Sequence, residues 1–286
     1  MEKEHVHGVF ESIAEGYDAA NDRISLGMHR MWKRCLEDVA VAACAGREPG
    51  IVLDVCCGTG DITEQIARAH PELLVVGLDF SDGMLDVAAG RVGGLENVLL
   101  VEGNAMDLPF DDATFDAAVV SFGLRNTPDY EQVLRQMARV TRRGGTIACL
   151  DASVPDSGFV RPFYRLYYKH IMTLLGGGVR HHGEYEWLYE STQGFLSKIE
   201  LAALFGRVGL DQVAARPFMC GAAALHTGVV GEAAHVAADA ACAAGGRDGQ
   251  AAQETGACGA HADDRVVCAE GSDGRSVVSF AVGDEL

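Results

Sequence analysis

Positive charge is scarce in this chain: 23 Lys and Arg stand against 41 Asp and Glu among 286 residues, a formal net charge of -18. A chain this acidic repels phosphate backbones unless its basic residues gather into one stripe, and no such stripe is present. Nucleic acid is therefore not an expected partner. Long apolar runs are missing as well; none approaches the roughly 18 to 20 residues that a bilayer span needs, and Met1-Glu2-Lys3-Glu4 is the wrong start for a secretory signal. The expectation is a cytoplasmic protein. Paired C-x-x-C spacing is also lacking. The nine cysteines, Cys35, Cys44, Cys56, Cys57, Cys149, Cys220, Cys242, Cys258 and Cys268, are an odd number that predicts reduced thiols rather than a disulfide framework or structural zinc. Cys258, His261 and Cys268 fit no standard ligand set, so no metal site is expected. Apolar residues are plentiful at 48%, enough for one sizeable domain with a buried core, and disorder of the whole is excluded.

Composition divides the chain in three. Residues 1–45 read as a helical leader, running from Val6 to Ala45, and 46–228 as the main domain. Beyond Gly228, residues 229–286 hold 15 Ala and 9 Gly, with 3 basic residues against 10 acidic ones for a net charge of -7. With almost no large apolar residue between Gly231 and Ala262, that tail cannot offset the entropy of ordering and is expected to be largely flexible. Within it, 265–282 carries two apolar runs around Ser272-Asp273-Gly274, consistent with a hairpin that pairs with itself or with an edge strand near Gly221 to His226. In the main domain, apolar runs begin at Ile51, Leu73, Val98, Phe115 and Thr146, and helical patterns lie between them at about 61–69, 83–91 and 130–141. That alternation is the spacing of βαβ crossovers, and so of a doubly wound α/β fold with a mostly parallel sheet. A helix at 197–208 and two strands at 211–215 and 221–226, with no helix between them, bring the sheet to seven strands with an antiparallel edge.

The first strand ends in Asp54-Val55-Cys56-Cys57-Gly58-Thr59-Gly60-Asp61 and turns into a helix, where glycines let a ligand approach the backbone. The dinucleotide fingerprint G-x-G-x-x-G is absent; the spacing acidic-x-x-x-G-x-G resembles the first motif of the class I S-adenosylmethionine methyltransferases, a Rossmann-like fold. Gly58, Thr59 and Gly60 are thus cofactor candidates. Asp79 closes the second strand, where a carboxylate accepts both ribose hydroxyls of a nucleoside; the alternative is a helix N-cap, which Ser81 fills equally well. After the third strand, the side chain of Asn104 and the backbone N–H of Ala105 are placed to read a base edge, and Ser121 ends the fourth strand.

That fourth strand continues as Ser121-Phe-Gly-Leu-Arg-Asn126, without the N-P-P-Y or D-P-P-Y of amino-group methyltransferases. Together with Val9-Phe-x-x-Ile-Ala-x-x-Tyr17-Asp18-x-x-Asn21-Asp22-x-x-Ser25-x-Gly27-x-His29-Arg30-x-Trp32-Lys33 in the leader, Tyr185 to Ser191 and Ala224 to Gly228, it resembles the menaquinone and ubiquinone biosynthesis C-methyltransferases. The resemblance covers about Val6 to Gly228. It departs from the family pattern at Arg142-Arg143-Gly144-Gly145, in place of K-P-G-G, and at Asp151, where a glutamate is usual and the shortening alters substrate fit. It implies S-adenosylmethionine as cofactor and a prenylated quinol as substrate.

A ring carbon is a poor nucleophile until a neighbouring oxygen ionises, so such an enzyme must aim the carbon and manage the quinol proton. Arg125 is the candidate for the developing phenolate, since a guanidinium stays charged and offers a fork of donors; a salt bridge at a strand end is the alternative. Tyr17, Asp18, Asn21 and His29 lie in the leader as a lid over the crevice, with Asp18 or His29 to take the proton; helix capping and packing are the alternative. The segment 159–175 mixes Arg161, Arg165 and Lys169 with aromatics, as suits a helix at a membrane surface or around an isoprenoid tail, though packing on its own domain explains it equally. Cys56-Cys57-Gly58, in place of A-G-G, favours a demethylmenaquinol acceptor over the benzoquinol of ubiquinone synthesis. The reading of another class is a catalytically silent nucleoside-binding protein whose acidic tail docks a partner.

Overall fold

A computed structural model describes residues 22, 25, 27–153, 155, 192 and 194–232, and the backbone of two further strands at 266–270 and 276–280. In chain order the elements are α1 (His29–Ala43), β1 (Gly50–Val55), α2 (Asp61–Ala69), β2 (Leu73–Asp79), α3 (Asp82–Val92), β3 (Val98–Glu102), β4 (Phe115–Ser121), a 3-10 turn (Leu124–Asn126), α4 (Tyr130–Val140), β5 (Thr141–Ala152), α5 (Lys198–Arg207), β6 (Leu210–Phe218), β7 (Ala223–Val230), β8 (Val266–Glu270) and β9 (Ser276–Phe280). Tyr17, Asp18, Asn21, the segment 159–175, Cys258 and His261 lie outside the described residues.

The first seven strands form one sheet in the order β3-β2-β1-β4-β5-β7-β6, parallel except for β7, which runs antiparallel to both neighbours. All six residues of β1 are buried, as a strand covered on both faces must be. Its side chains alternate between two cores: Ile51, Leu53 and Val55 meet Val133, Leu134 and Met137 of α4 and Leu204 and Phe205 of α5, while Val52 meets Trp32 and Leu36 of α1 and Ile62 and Ile66 of α2. Asp54 falls on the α1–α2 face. The helices start where their capping residues dictate: Ser81 accepts from the Met84 N–H, Asp129 from Gln132, and Ser197 forms a capping box with Glu200. On α1, Trp32 stacks on Phe218 of β6 with ring centroids 5.7 Å apart, so the end of the leader is built into the core.

Three expectations need correction. The strand expected at 221–226 is β7, an interior strand between β5 and β6; β6 is the edge, and the 3-10 turn Met219–Gly221 joins the two. The fifth strand begins at Thr141, not Thr146: Arg142 reaches the Asp116 carboxylate and donates to the Ala43 carbonyl at 3.0 Å, which holds the extra residues on the sheet. The composition break at Gly228 cuts through β7, since Val229 pairs with Thr146 and Asp211 and Val230 pairs with Leu210. In the tail, β8 and β9 pair antiparallel as a separate two-stranded sheet, with Val266 opposite Phe280.

Candidate cofactor site

Strand β1 has β2 on one side and β4 on the other, so the crossovers leave it in opposite directions and a crevice opens at the carboxyl ends. A cavity lies there. Its wall includes Gly58 and Thr59 after β1, Asp79 at the end of β2, Asn104 and Ala105 after β3, and Ser121 at the end of β4. Six of the seven residues expected to bind the cofactor therefore meet around one space. The seventh, Gly60, is not in the wall. It begins α2 at φ +74, and a Cβ there would stand 2.9 Å from the Cβ of Ala88, so its smallness serves the approach of α2 to α3.

Asp79 organises the floor. One carboxylate oxygen accepts from the Gly58 N–H at 2.8 Å and the other from the Ser81 N–H at 3.1 Å, so the acid ties the glycine loop to the start of α3. The carboxylate also borders the cavity. Asn104 turns its carbonyl oxygen to the Met106 N–H at 3.0 Å, so its NH2 is the remaining hydrogen-bonding end. From α4, Gln132 donates to the Met106 carbonyl at 2.9 Å and Gln136 accepts from the Leu108 N–H at 3.2 Å, which fixes the loop after β3. Phe80, 38% exposed, adds an apolar rim beside Asp79.

The ends of β1 and β4 interlock. Cys56 and Phe122 both hold φ of 56°, sparsely populated for residues with a side chain, and a Cβ on Gly123 would stand 2.6 Å from the Cβ of Cys56. Burial, with the charges of Asp79 and Asp54 behind it, pushes the Cys56 and Cys57 thiols well up, so they are inert walls rather than nucleophiles. Burial likewise pushes the Asp54 carboxyl up to about 7, against the Thr63 hydroxyl that donates to it at 2.7 Å and the nearby charge of Lys33. Two buried polar atoms in the wall, the Ser121 Oγ and the Asn126 Oδ1, have no partner among the described residues. Orphaned groups of this kind are costly unless a ligand or water meets them. A nucleoside with an amino-acid end, such as S-adenosylmethionine, fits this wall: a carboxylate for the ribose, an amide and an apolar rim for the base, and hydroxyl and amide groups at the reacting end.

The two catalytic candidates among the described residues, Arg125 and His29, stand apart from the cavity. Arg125 is buried and outside the wall; its Nη1 donates to the Asp151 Oδ1 at 2.6 Å and to the Phe122 carbonyl at 2.8 Å, and its N–H donates to the Asp151 Oδ2 at 3.1 Å. Asp151, expected to face substrate, instead holds Arg125. His29, also buried and outside the wall, has its Nδ1 2.7 Å from the Ser25 hydroxyl; burial and the charge of Lys33 lower its pKa, so the ring is neutral at pH 7. Sequence reasoning passed over Phe80, Asn126 and Lys33. An aromatic directly after an acidic strand end is a usable signal for Phe80; Lys33 and Asn126 stand within the family motifs quoted above, which give neither an individual role.

Comparison with known proteins follows the same lines. The model of the ubiE/COQ5 methyltransferase family matches residues 1–230. A demethylmenaquinone methyltransferase of Staphylococcus aureus (strain JH9) is 43% identical over 229 residues, 79% of this chain and 93% of that protein. Among solved structures, a SAM-dependent methyltransferase from Thermotoga maritima superposes with a TM-score of 0.51 at 19% identity, covering 79% of this chain and all of that one. An O-methyltransferase family protein from Burkholderia thailandensis gives a TM-score of 0.52 at 21% identity, covering 78% of this chain and 61% of the other. These two likenesses bear on the fold alone.

Proposed function

Since the chain belongs to the ubiE/COQ5 methyltransferase family, we propose that this S-adenosylmethionine-dependent enzyme methylates a ring carbon of demethylmenaquinol to give menaquinol. The observation that carries the choice of acceptor is the 43% identity, over 93% of its length, to the staphylococcal demethylmenaquinone methyltransferase.

Gly58, Thr59, Asp79, Asn104, Ala105 and Ser121 would hold the cofactor, which supplies an electrophilic methyl on a sulfonium when bound. The rest is done by the chain. Burial of Cys56 and Cys57 at the end of β1 keeps their thiols from competing as methyl acceptors. Arg125 stabilises negative charge on the quinol oxygen as its proton departs, held in one orientation by Asp151 and one residue from the cavity-lining Asn126. Its place outside the wall means that it acts across the Leu124–Asn126 turn or through water. The leader motif supports roles in the reaction for Tyr17 and Asn21, and for Asp18 or His29 as the proton acceptor. A neutral ring supports His29.

Among the described residues no helix is long and apolar enough to cross a membrane. An isoprenoid-bearing acceptor nevertheless resides in lipid, and we assign the approach to 159–175, where Arg161, Arg165 and Lys169 suit an anionic surface. The deciding experiment is transfer of labelled methyl to short-chain demethylnaphthoquinol and benzoquinol side by side. Labelled naphthoquinol is the expected product. Label on the benzoquinol alone would move the enzyme to ubiquinone synthesis, and none on either would leave a binding protein.

A further inference from the structure

Lys33 is the single residue with a formal positive charge among the described residues of the cavity wall, against three carboxylates, Asp54, Asp61 and Asp79. Its side chain is 10% exposed, a depth at which an ammonium is costly unless paired. The pair is with Asp61, the first residue of α2, directly after the glycine loop. Asp61 has a second cation: the Arg91 Nη1 stands 3.5 Å from its other oxygen. Burial raises the Asp61 pKa, but Lys33 and Arg91 outweigh it and hold the carboxyl below its usual range, so Asp61 is ionised at neutral pH.

We infer that Lys33 is the receptor for the carboxylate of the cofactor's amino-acid end. This rests on the S-adenosylmethionine reading of the cavity. The ribose acceptor, Asp79, and Lys33 both border this cavity, Lys33 reaching from α1 to the first residue of α2, so a ligand with a diol and a carboxylate has a matching group for each. When Lys33 turns part of its ammonium to that carboxylate, Asp61 keeps Arg91 as a counter-ion, so the exchange leaves no buried charge unpaired. A lysine serves this better than a neutral donor, because hydrogen bonds to charged groups are the stronger class.

The test compares two thioether ligands that differ only at that end, S-adenosylhomocysteine and 5′-methylthioadenosine, by calorimetric titration of the full chain. Lys33→Met keeps the apolar stem and deletes the charge. It is expected to weaken S-adenosylhomocysteine roughly ten- to a hundredfold and to leave methylthioadenosine within about twofold, a range set by the usual worth of charged hydrogen bonds. Lys33→Arg is expected to recover most of the loss. Equal weakening of both ligands would overturn the inference, since Lys33 would then act by tethering the glycine loop through Asp61; so would unchanged binding of both. If the wild-type chain binds neither ligand, the nucleoside reading itself falls and the inference with it. Should Lys33→Met not fold, Lys33→Gln read by the same two ligands takes its place.

Discussion

The ion pair between Arg125 and Asp151 sets two demands on one residue. With side chains 8% and 1% exposed, the pair is desolvated, and removing one partner leaves an uncompensated charge worth about 3–5 kcal/mol. Asp151→Ala is therefore expected to lower unfolding free energy by about that amount in urea titrations. Arg125→Lys keeps the charge but loses the planar fork, so turnover should fall while affinity for S-adenosylhomocysteine holds; the opposite pattern would move Arg125 into cofactor binding. Asp54 makes a prediction in pH. Its folded pKa of about 7 lies above the ordinary carboxyl value of 3.8, so the folded state keeps the proton that the unfolded chain gives up. Its contribution to stability is complete below that ordinary value and is lost as pH rises through about 7. Asp54→Asn, neutral at every pH, should thus gain on the wild type in melts between about pH 5.5 and pH 8. Parallel behaviour of the two proteins would mean that Asp54 is already ionised at the lower pH.

Among the elements, the two glycines of the loop after β1 separate folding from binding. Gly60→Ala drives a Cβ against Ala88 at 2.9 Å and should cost about 1–3 kcal/mol of stability. At Gly58 an added Cβ meets nothing within 4 Å, and the φ of +55 costs about 1–2 kcal/mol on its own. Gly58→Ala should therefore stay folded and lose affinity for S-adenosylhomocysteine; titration and urea unfolding together decide both cases. This loop was legible in the sequence because buried parallel strands read as apolar runs and α2 keeps its apolar residues on one face. Strand β6 was underestimated because an edge strand alternates: Gln212, Arg216 and Pro217 are polar or irregular, and the outer row is exposed. The start of β5 was missed because Arg142-Arg143-Gly144-Gly145 reads as a turn, and only the contact with Asp116 makes it a strand. Lys33, quoted at the end of the leader motif, was given no role for a similar reason. A lysine on an amphipathic helix reads as solvated, and its burial follows from α1 lying over α2.

For the whole chain, the boundary of the folded body lies past Gly228. Truncation there removes Val229 and Val230 from β7, and Val230, 2% exposed, is worth about 1.5–3 kcal/mol of burial. Truncation after Glu232 spares the strand. The longer protein is expected to keep its melting temperature and turnover, and the shorter one to melt lower; equal loss in both would make the hairpin of β8 and β9 part of the fold. The sheet order also has a history in time. As a ribosome delivers the chain, β6 emerges before β7, the strand that will join it to β5, so between the synthesis of Ala152 and that of Val230 the edge of β5 lacks the strand that is its neighbour in the finished sheet. At roughly 5–20 residues per second those intervening residues take several seconds. For that interval the main sheet consists of β1 to β5 without β7, and a chaperone that shields strand edges has its greatest claim on this protein before β7 is made.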